Sequence, residues 1–221
     1  MAKTTTAYAN VGCPIGSKVF TAELSCIKNV KIRNWVTEVL DSDIVPGYFW
    51  WTAASTSGKY HPHLSLGPGG LIRHVKYCVY WCKELVRACG FKPQDGFKHE
   101  DEVIAAAILH DLIKNGFDYD GSFKKGMNWT PCHGWRLADL LRVKYQSLKN
   151  EPWFEKVMWG ISAHMGKWGD KDAAKWQNAP NQDCMEVAKL VHLADYCSSR
   201  KLSCFENLNK EAQESLEKVK H

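Results

Sequence analysis

The segment from Glu100 to Lys114 (EDEVIAAAILHDLIK) limits what the chain can fold into more than any other. Ala105, Ala106, Ala107, Ile108 and Leu109 make it apolar almost all round, so a helix here belongs in the middle of a core rather than on its surface. Its end nevertheless carries His110 and Asp111. A carboxylate in apolar surroundings costs several kcal/mol of desolvation unless it is paired or bound to a metal ion. Neighbouring helical residues point about 100° apart, so both can reach one ion only at a seam between helices, completed by ligands from elsewhere.

The rest of the pattern is helical too. Apolar positions Ile27, Val30, Trp35, Val36, Val39 and Leu40 predict an amphipathic helix over 27–40 after an irregular arm over 1–25. Further helices are expected over 71–89, closed by Gly90, over 100–114, closed by Asn115-Gly116, and over 133–148, 152–164 and 184–200, with a charged one over 206–220. Residues 41–70 are rich in Pro, Gly, Ser and Thr and read as a long loop. Its aromatic residues Tyr48, Phe49, Trp50, Trp51 and Tyr60 argue that it lies over something. No segment alternates long enough to predict a strand. The expectation is an all-α bundle: an arm, helix and aromatic-rich loop over 1–70 packed on a core over 71–205, then the charged helix over 206–221.

Composition excludes several classes. Of 221 residues, 45% are hydrophobic and 24% charged, the range of soluble globular chains. No apolar run reaches the roughly 20 residues of a membrane span, and the start lacks the pattern of a secretory signal, so a cytoplasmic protein without membrane contact is expected. Nine cysteines, an odd number without a Cys-x-x-Cys pair, read as reduced, mostly buried residues. The net charge of +5 is compatible with an anionic substrate but leaves its class open.

Candidate partners for His110-Asp111 stand at helical positions on either side. His74 lies in the first turn of one helix (GGLIRHVKY) and Asp195 in the middle of a late one (KLVHLADYCSS). His74, His110, Asp111 and Asp195 suit a first ion of borderline hardness. His133 (TPCHGW) and His164 (ISAHMGKW) stand where helices begin or end, and with a bridging Asp111 could hold a second.

The ordered set His74, His110-Asp111, His133, His164, Asp195 resembles the HD-domain superfamily of metal-dependent phosphohydrolases over about residues 70–200. Gly69-Gly70-Leu71-Ile72-Arg73-His74 and His110-Asp111-Leu112-Ile113-Lys114 look like the matching stretches of HD-type 3′-to-5′ exoribonucleases and, for the second, of HD-type cyclic-dinucleotide phosphodiesterases. The resemblance implies one or two divalent ions (Mn, Fe, Ni, Co, Zn or Mg) and metal-activated water attacking phosphorus. It further implies catalytic roles for Asp111 and Lys114, the latter near the scissile phosphate, and a second-ion role for His133 and His164. No Gly-Tyr-Pro signature follows the doublet, and residues 1–70 do not resemble the nucleic-acid-binding domain of the exoribonucleases. The chemistry is therefore better defined than the substrate.

The first expectation is a two-metal phosphodiesterase acting on a nucleotide or short oligonucleotide. The alternatives are a mononuclear (deoxy)nucleotide phosphatase or triphosphohydrolase, and a non-catalytic nucleotide sensor. Several residues carry plainer readings beside the chemical ones. Lys114 also suits a helix end electrostatically, and Gly67-Pro68-Gly69-Gly70 reads as a turn before it reads as a phosphate cradle. His61 and His63 read as a metal pair only against the intervening proline. Arg73 is a weak phosphate contact, and His192 is placed to orient a ligand. Trp50, Trp51, Trp129, Trp135 and Trp168 fall near the expected cleft, where core packing competes with base stacking.

Overall fold

Seven α-helices follow one another in the computed structural model, which describes residues 16–55, 58–59, 61–88, 98–117, 131–169 and 175–200. They are α1 (Thr21–Ser25), α2 (Val30–Leu40), α3 (Gly70–Ala88), α4 (Glu100–Leu109), α5 (His133–Lys144), α6 (Phe154–Ala163) and α7 (Gln182–Ser198), and no strand occurs among the described residues. The expected all-α class is what the chain adopts. The charged helix over 206–220, Gly90 and Trp129 lie outside the described residues.

α4 occupies the centre, as its uniform apolarity requires. None of Val103 to Leu109 has any solvent exposure, and α3, α6 and α7 all pack on this helix. α7 in turn packs along α6 and α3, so the ends of α3, α4, α6 and α7 meet at one seam. Fully burying each Ile or Leu contributes about 1.5–3 kcal/mol, which makes α4 a main source of stability.

The amino-terminal part joins the same core. Phe20, Leu24, Ile27, Trp35 and Phe49 are buried with the α4 residues in one hydrophobic cluster. The expected helix over 27–40 begins only at Val30, because the Asn29 side chain accepts from the amides of Lys31 and Ile32 and so caps it. Asp101 at the start of α4 accepts from the amides of Lys28 and Asn29, at 2.8 and 2.7 Å, and pins the break. Residues 16–25 form a short 3-10 turn and α1 instead of an irregular arm.

Among the described residues, the loop between α2 and α3 holds two 3-10 turns, Gly47–Trp50 and His63–Ser65, and lies over the start of α3. Gly69 and Leu71 donate their amides to Trp51 and Thr52, and Gly70 donates to Gly67. The Gly67–Gly70 segment is therefore a turn, with the amides of Gly69 and Gly70 spent inside the fold. The Arg73 guanidinium is spent as well, donating to the carbonyls of Leu64 and Leu66, which removes it as a phosphate contact.

Cys78, Cys82, Cys132 and Cys184 are buried thiols, and no disulfide occurs among the described residues. No helix among those residues is long and apolar enough to cross a membrane.

Candidate metal centre

The centre is assembled from helix ends. α4 stops at Leu109, so His110 and Asp111 lie just beyond the helix rather than within it. The chain there tightens into i→i−3 turns, with Leu112 donating to Leu109 and Lys114 to Asp111. That spacing superposes residues three apart, and Lys114 accordingly stands over Asp111 with Nζ 2.7 Å from Oδ2. The amide of Asn115 donates to the Tyr48 hydroxyl at 3.0 Å, so the aromatic loop holds the turn from outside.

His110 and His164 occupy equivalent places. Each caps the carboxyl end of its helix and lies 2.7 Å through Nδ1 from the carbonyl three residues back, Ala107 or Ile161. A carbonyl can only accept, so Nδ1 of each carries the proton and Nε2 is left with its lone pair facing the seam. The negative ends of two helix dipoles thereby converge where a cation would be held. His74 is set in the same tautomer from α3. Ser198 on α7 donates its hydroxyl to the Asp195 carbonyl at 2.8 Å, so its oxygen accepts from His74 Nδ1 at 3.3 Å.

Two groups of ligand atoms result. His74 Nε2 lies 3.1 Å from Asp195 Oδ1 and 3.5 Å from Asp111 Oδ2, and His110 Nε2 lies 3.5 Å from the same Asp111 oxygen. On the other side, Asp111 Oδ1 lies 2.9 Å from His133 Nε2 and 3.7 Å from His164 Nε2, and the two imidazole nitrogens are 2.9 Å apart. His74, His110, Asp111, His133 and His164 are at most 1% exposed. All six sequence-predicted ligands are thus brought together.

The donor set fits a divalent cation. Nε2 of His74 and of His110 are buried without a hydrogen-bond partner, and both face carboxylate oxygens that can also only accept. Such an arrangement is repulsive unless a positive charge lies between the atoms. Burial pulls His110 below the usual imidazole value, and burial together with His133 and His110 pulls His164 down to about 3, so both rings are neutral and able to ligate. Burial opposes ionisation of Asp111, but Lys114, with His110 and His133, more than offsets it and holds the carboxyl well below the ordinary carboxylate range. Lys114 is likewise disfavoured by burial yet held charged by Asp111 and Asp195. His74, His110 and Asp195 form one buried group that could hold a metal ion, and His110, Asp111 and His164 another.

A cavity of about 550 Å³ opens over the centre, with Lys114, Asp195 and His61 at the metal end. His61 does not pair with His63, which is exposed. Its ring instead meets that of His74 edge to face at 5.5 Å, and burial, then Lys114 and His74, pull it down to about 4. His192 lies 2.7 Å through Nδ1 from the His164 carbonyl and so steadies the ligand through its backbone. Of the described tryptophans singled out in the sequence, Trp168 lines the cavity, whereas Trp50 packs on Phe20 and Phe49.

Ser198 and Gly134 escaped the sequence reading. A Cβ on Gly134 would lie 2.7 Å from the Ile161 carbonyl oxygen and 2.9 Å from the His164 ring, so glycine is what lets α5 bring His133 against His164. A serine three residues after Asp195, on the same helical face, was a readable signal for the first, and the His-Gly pair for the second.

A second polar group, in which Lys156 lies 3.4 Å from Glu102 and His99 Nε2 lies 3.2 Å from Asp183, ties α4 to α6 and α7. Its groups are not among those placed to hold a metal ion, and it is a structural ion-pair network. The fold and the centre together define a helical protein with a buried His/Asp site suited to divalent metal. Comparison with models of known protein families, with curated proteins and with solved structures finds no match.

Proposed function

We propose that the chain is a metal-dependent phosphohydrolase of the HD-domain kind, a two-metal phosphodiesterase acting on a nucleotide or short oligonucleotide. One observation carries this reading. The two oxygens of Asp111 face two histidine sets, Oδ2 facing His74 and His110 at 3.5 Å each beside Lys114, and Oδ1 facing His133 at 2.9 Å, so that His74, His110, Asp111 and Asp195 would hold one ion and Asp111, His133 and His164 a second. Divalent ions held there supply Lewis-acid activation of water and neutralise charge developing on the phosphoryl oxygens.

The chain's own contribution is positioning and charge. His74, His110 and His164 hold their lone pairs toward the seam through the fixed Nδ1 partners described above. Lys114 remains protonated at the cavity edge, a point charge within reach of both Asp111 and an entering phosphate oxygen. Burial of the ligands excludes bulk water from all but the cavity side, which strengthens each of these interactions.

The test is the metal content of the purified protein per chain, followed by hydrolysis of bis-p-nitrophenyl phosphate with added Mn by wild type and Asp111→Ala. Near two metals, with activity lost in the variant, is the expected result. Near one metal without diesterase activity would turn the reading to a mononuclear nucleotide phosphatase or triphosphohydrolase, for which His74, His110, Asp111 and Asp195 suffice. Nucleotide binding without turnover of any phosphate ester would leave the sensor.

A further inference from the structure

The cavity has a second end that the metal chemistry does not use. From α7, Asp195 reaches the metal end while its neighbour Tyr196, together with Ser199 and Arg200, lines the cavity beside it. Trp168 returns to the same wall from the turn after α6 and stacks on Tyr196, with ring centroids 5.4 Å apart and planes 15° from parallel. The two rings are 45% and 39% exposed, so the pair stands in the cleft wall instead of being turned into the core. Large apolar rings exposed on a cleft wall are a ligand-binding feature more than a packing one.

Three local features hold this surface in register with the centre. Gly166 has φ +54°, and a Cβ there would lie 2.3 Å from the His192 ring; only glycine turns the chain tightly enough to bring Trp168 back over α7. His192 engages the His164 carbonyl and lies 6.1 Å from the Trp168 ring, so it joins a metal ligand to the aromatic wall. Cations frame the rings, with the Arg200 guanidinium 4.1 Å from the Tyr196 centroid and Lys167 Nζ 4.8 Å from that of Trp168. The remaining lining includes the small side chains of Ala53, Ala54 and Ser55.

Resting on the phosphohydrolase reading, we infer that Trp168 and Tyr196 form a nucleobase subsite, with the phosphate at Asp195 and Lys114 and the base on the aromatic pair. Stacking accepts any base because every base presents a π face, so the subsite distinguishes nucleotides from simple sugar phosphates more than it distinguishes one base from another. The flanking cations favour the electron-rich rings and carbonyl groups of bases.

The experiment is calorimetric titration of the full-length, Mn-loaded protein with two phosphonates whose carbon-linked phosphorus cannot be hydrolysed, the analogues of adenosine 5′-monophosphate and of ribose 5-phosphate. Wild type is expected to bind the adenosine compound about ten-fold tighter or more. Trp168→Leu should bring the two affinities together, and Trp168→Phe, which keeps a ring, should restore most of the difference; far-ultraviolet circular dichroism checks that both variants fold. Equal binding of the two compounds by wild type, or an undiminished preference in Trp168→Leu, overturns the subsite while leaving the phosphohydrolase reading standing. Failure of both compounds to bind wild type counts against the phosphohydrolase reading, and the subsite falls with it.

Discussion

Asp111 and His133 meet through Oδ1 and Nε2 at 2.9 Å, on the side of the carboxylate turned away from His74 and His110. The contact joins the end of α4 to the first residue of α5 and gives the carboxylate a second donor set. A site for one ion needs no such contact, since the remaining ligands are complete on the other oxygen.

His133→Ala and His164→Ala should therefore each lower metal content from near two per chain toward one, and lower diesterase activity beyond the roughly 10–100-fold expected for disturbing a group that only supports a ligand. Elemental analysis of the purified variants, beside bis-p-nitrophenyl phosphate kinetics, reads both effects. Unchanged stoichiometry and rate in both variants would dismiss the second ion.

Ser198→Ala should weaken metal binding about 10–100-fold without removing a ligand. The serine hydroxyl is held by the Asp195 carbonyl and accepts from His74 Nδ1. Without it, nothing among the contacts described keeps the proton of His74 on Nδ1 and the lone pair of Nε2 toward the carboxylates. Competition against a chelating dye measures the affinity, and an affinity equal to wild type would show that the tautomer is set by other means.

Why the centre was readable from sequence, and much of its surroundings was not, follows from the residues. Histidine and aspartate at the ends of apolar segments are costly unless they share a task, so all six candidate ligands stood out from their neighbours. The end of α4 did not: Leu112 and Ile113 continue the apolar pattern and are buried like the helix before them, which hid the switch to tighter turns. Periodicity likewise ran through Ile27 to Val30, where one asparagine side chain decides that the helix starts later. Arg73 looked available because a sequence does not show that two carbonyls of the loop before it will occupy its guanidinium. Trp168 and Tyr196, far apart in the chain, become one surface only through the turn at Gly166.

Stability should fall with pH between about 6.5 and 3 when metal is removed. His164 has a usual value of 6.5 and is pulled down to about 3 in the fold by burial and by its histidine neighbours. The unfolded chain therefore binds a proton that the folded chain refuses. The contribution is fully present above pH 6.5 and is lost as pH falls toward 3, amounting to about 2 kcal/mol at pH 5 from this residue alone. Urea unfolding in chelator at pH 7 and pH 5 should show that loss, and His164→Leu should flatten it. An equally steep dependence in the variant would assign the effect to other groups.

Gly134→Ala should impair the centre without altering any ligand. The added Cβ would lie 2.7 Å from the Ile161 carbonyl oxygen and 2.9 Å from the His164 ring. Neither neighbour can yield easily, because the same carbonyl faces His164 Nδ1 at 2.7 Å and fixes the ring. The strain must then separate α5 from α6, at a cost of about 1–3 kcal/mol, and carry His133 away from His164. Gly47→Ala is the matched control, since a Cβ there meets nothing within 4 Å and should change stability by less than about 0.5 kcal/mol. Urea unfolding and metal content of the two variants decide the matter: Gly134→Ala should lose both stability and metal. If it retains both, α5 does not depend on glycine to bring His133 to the centre.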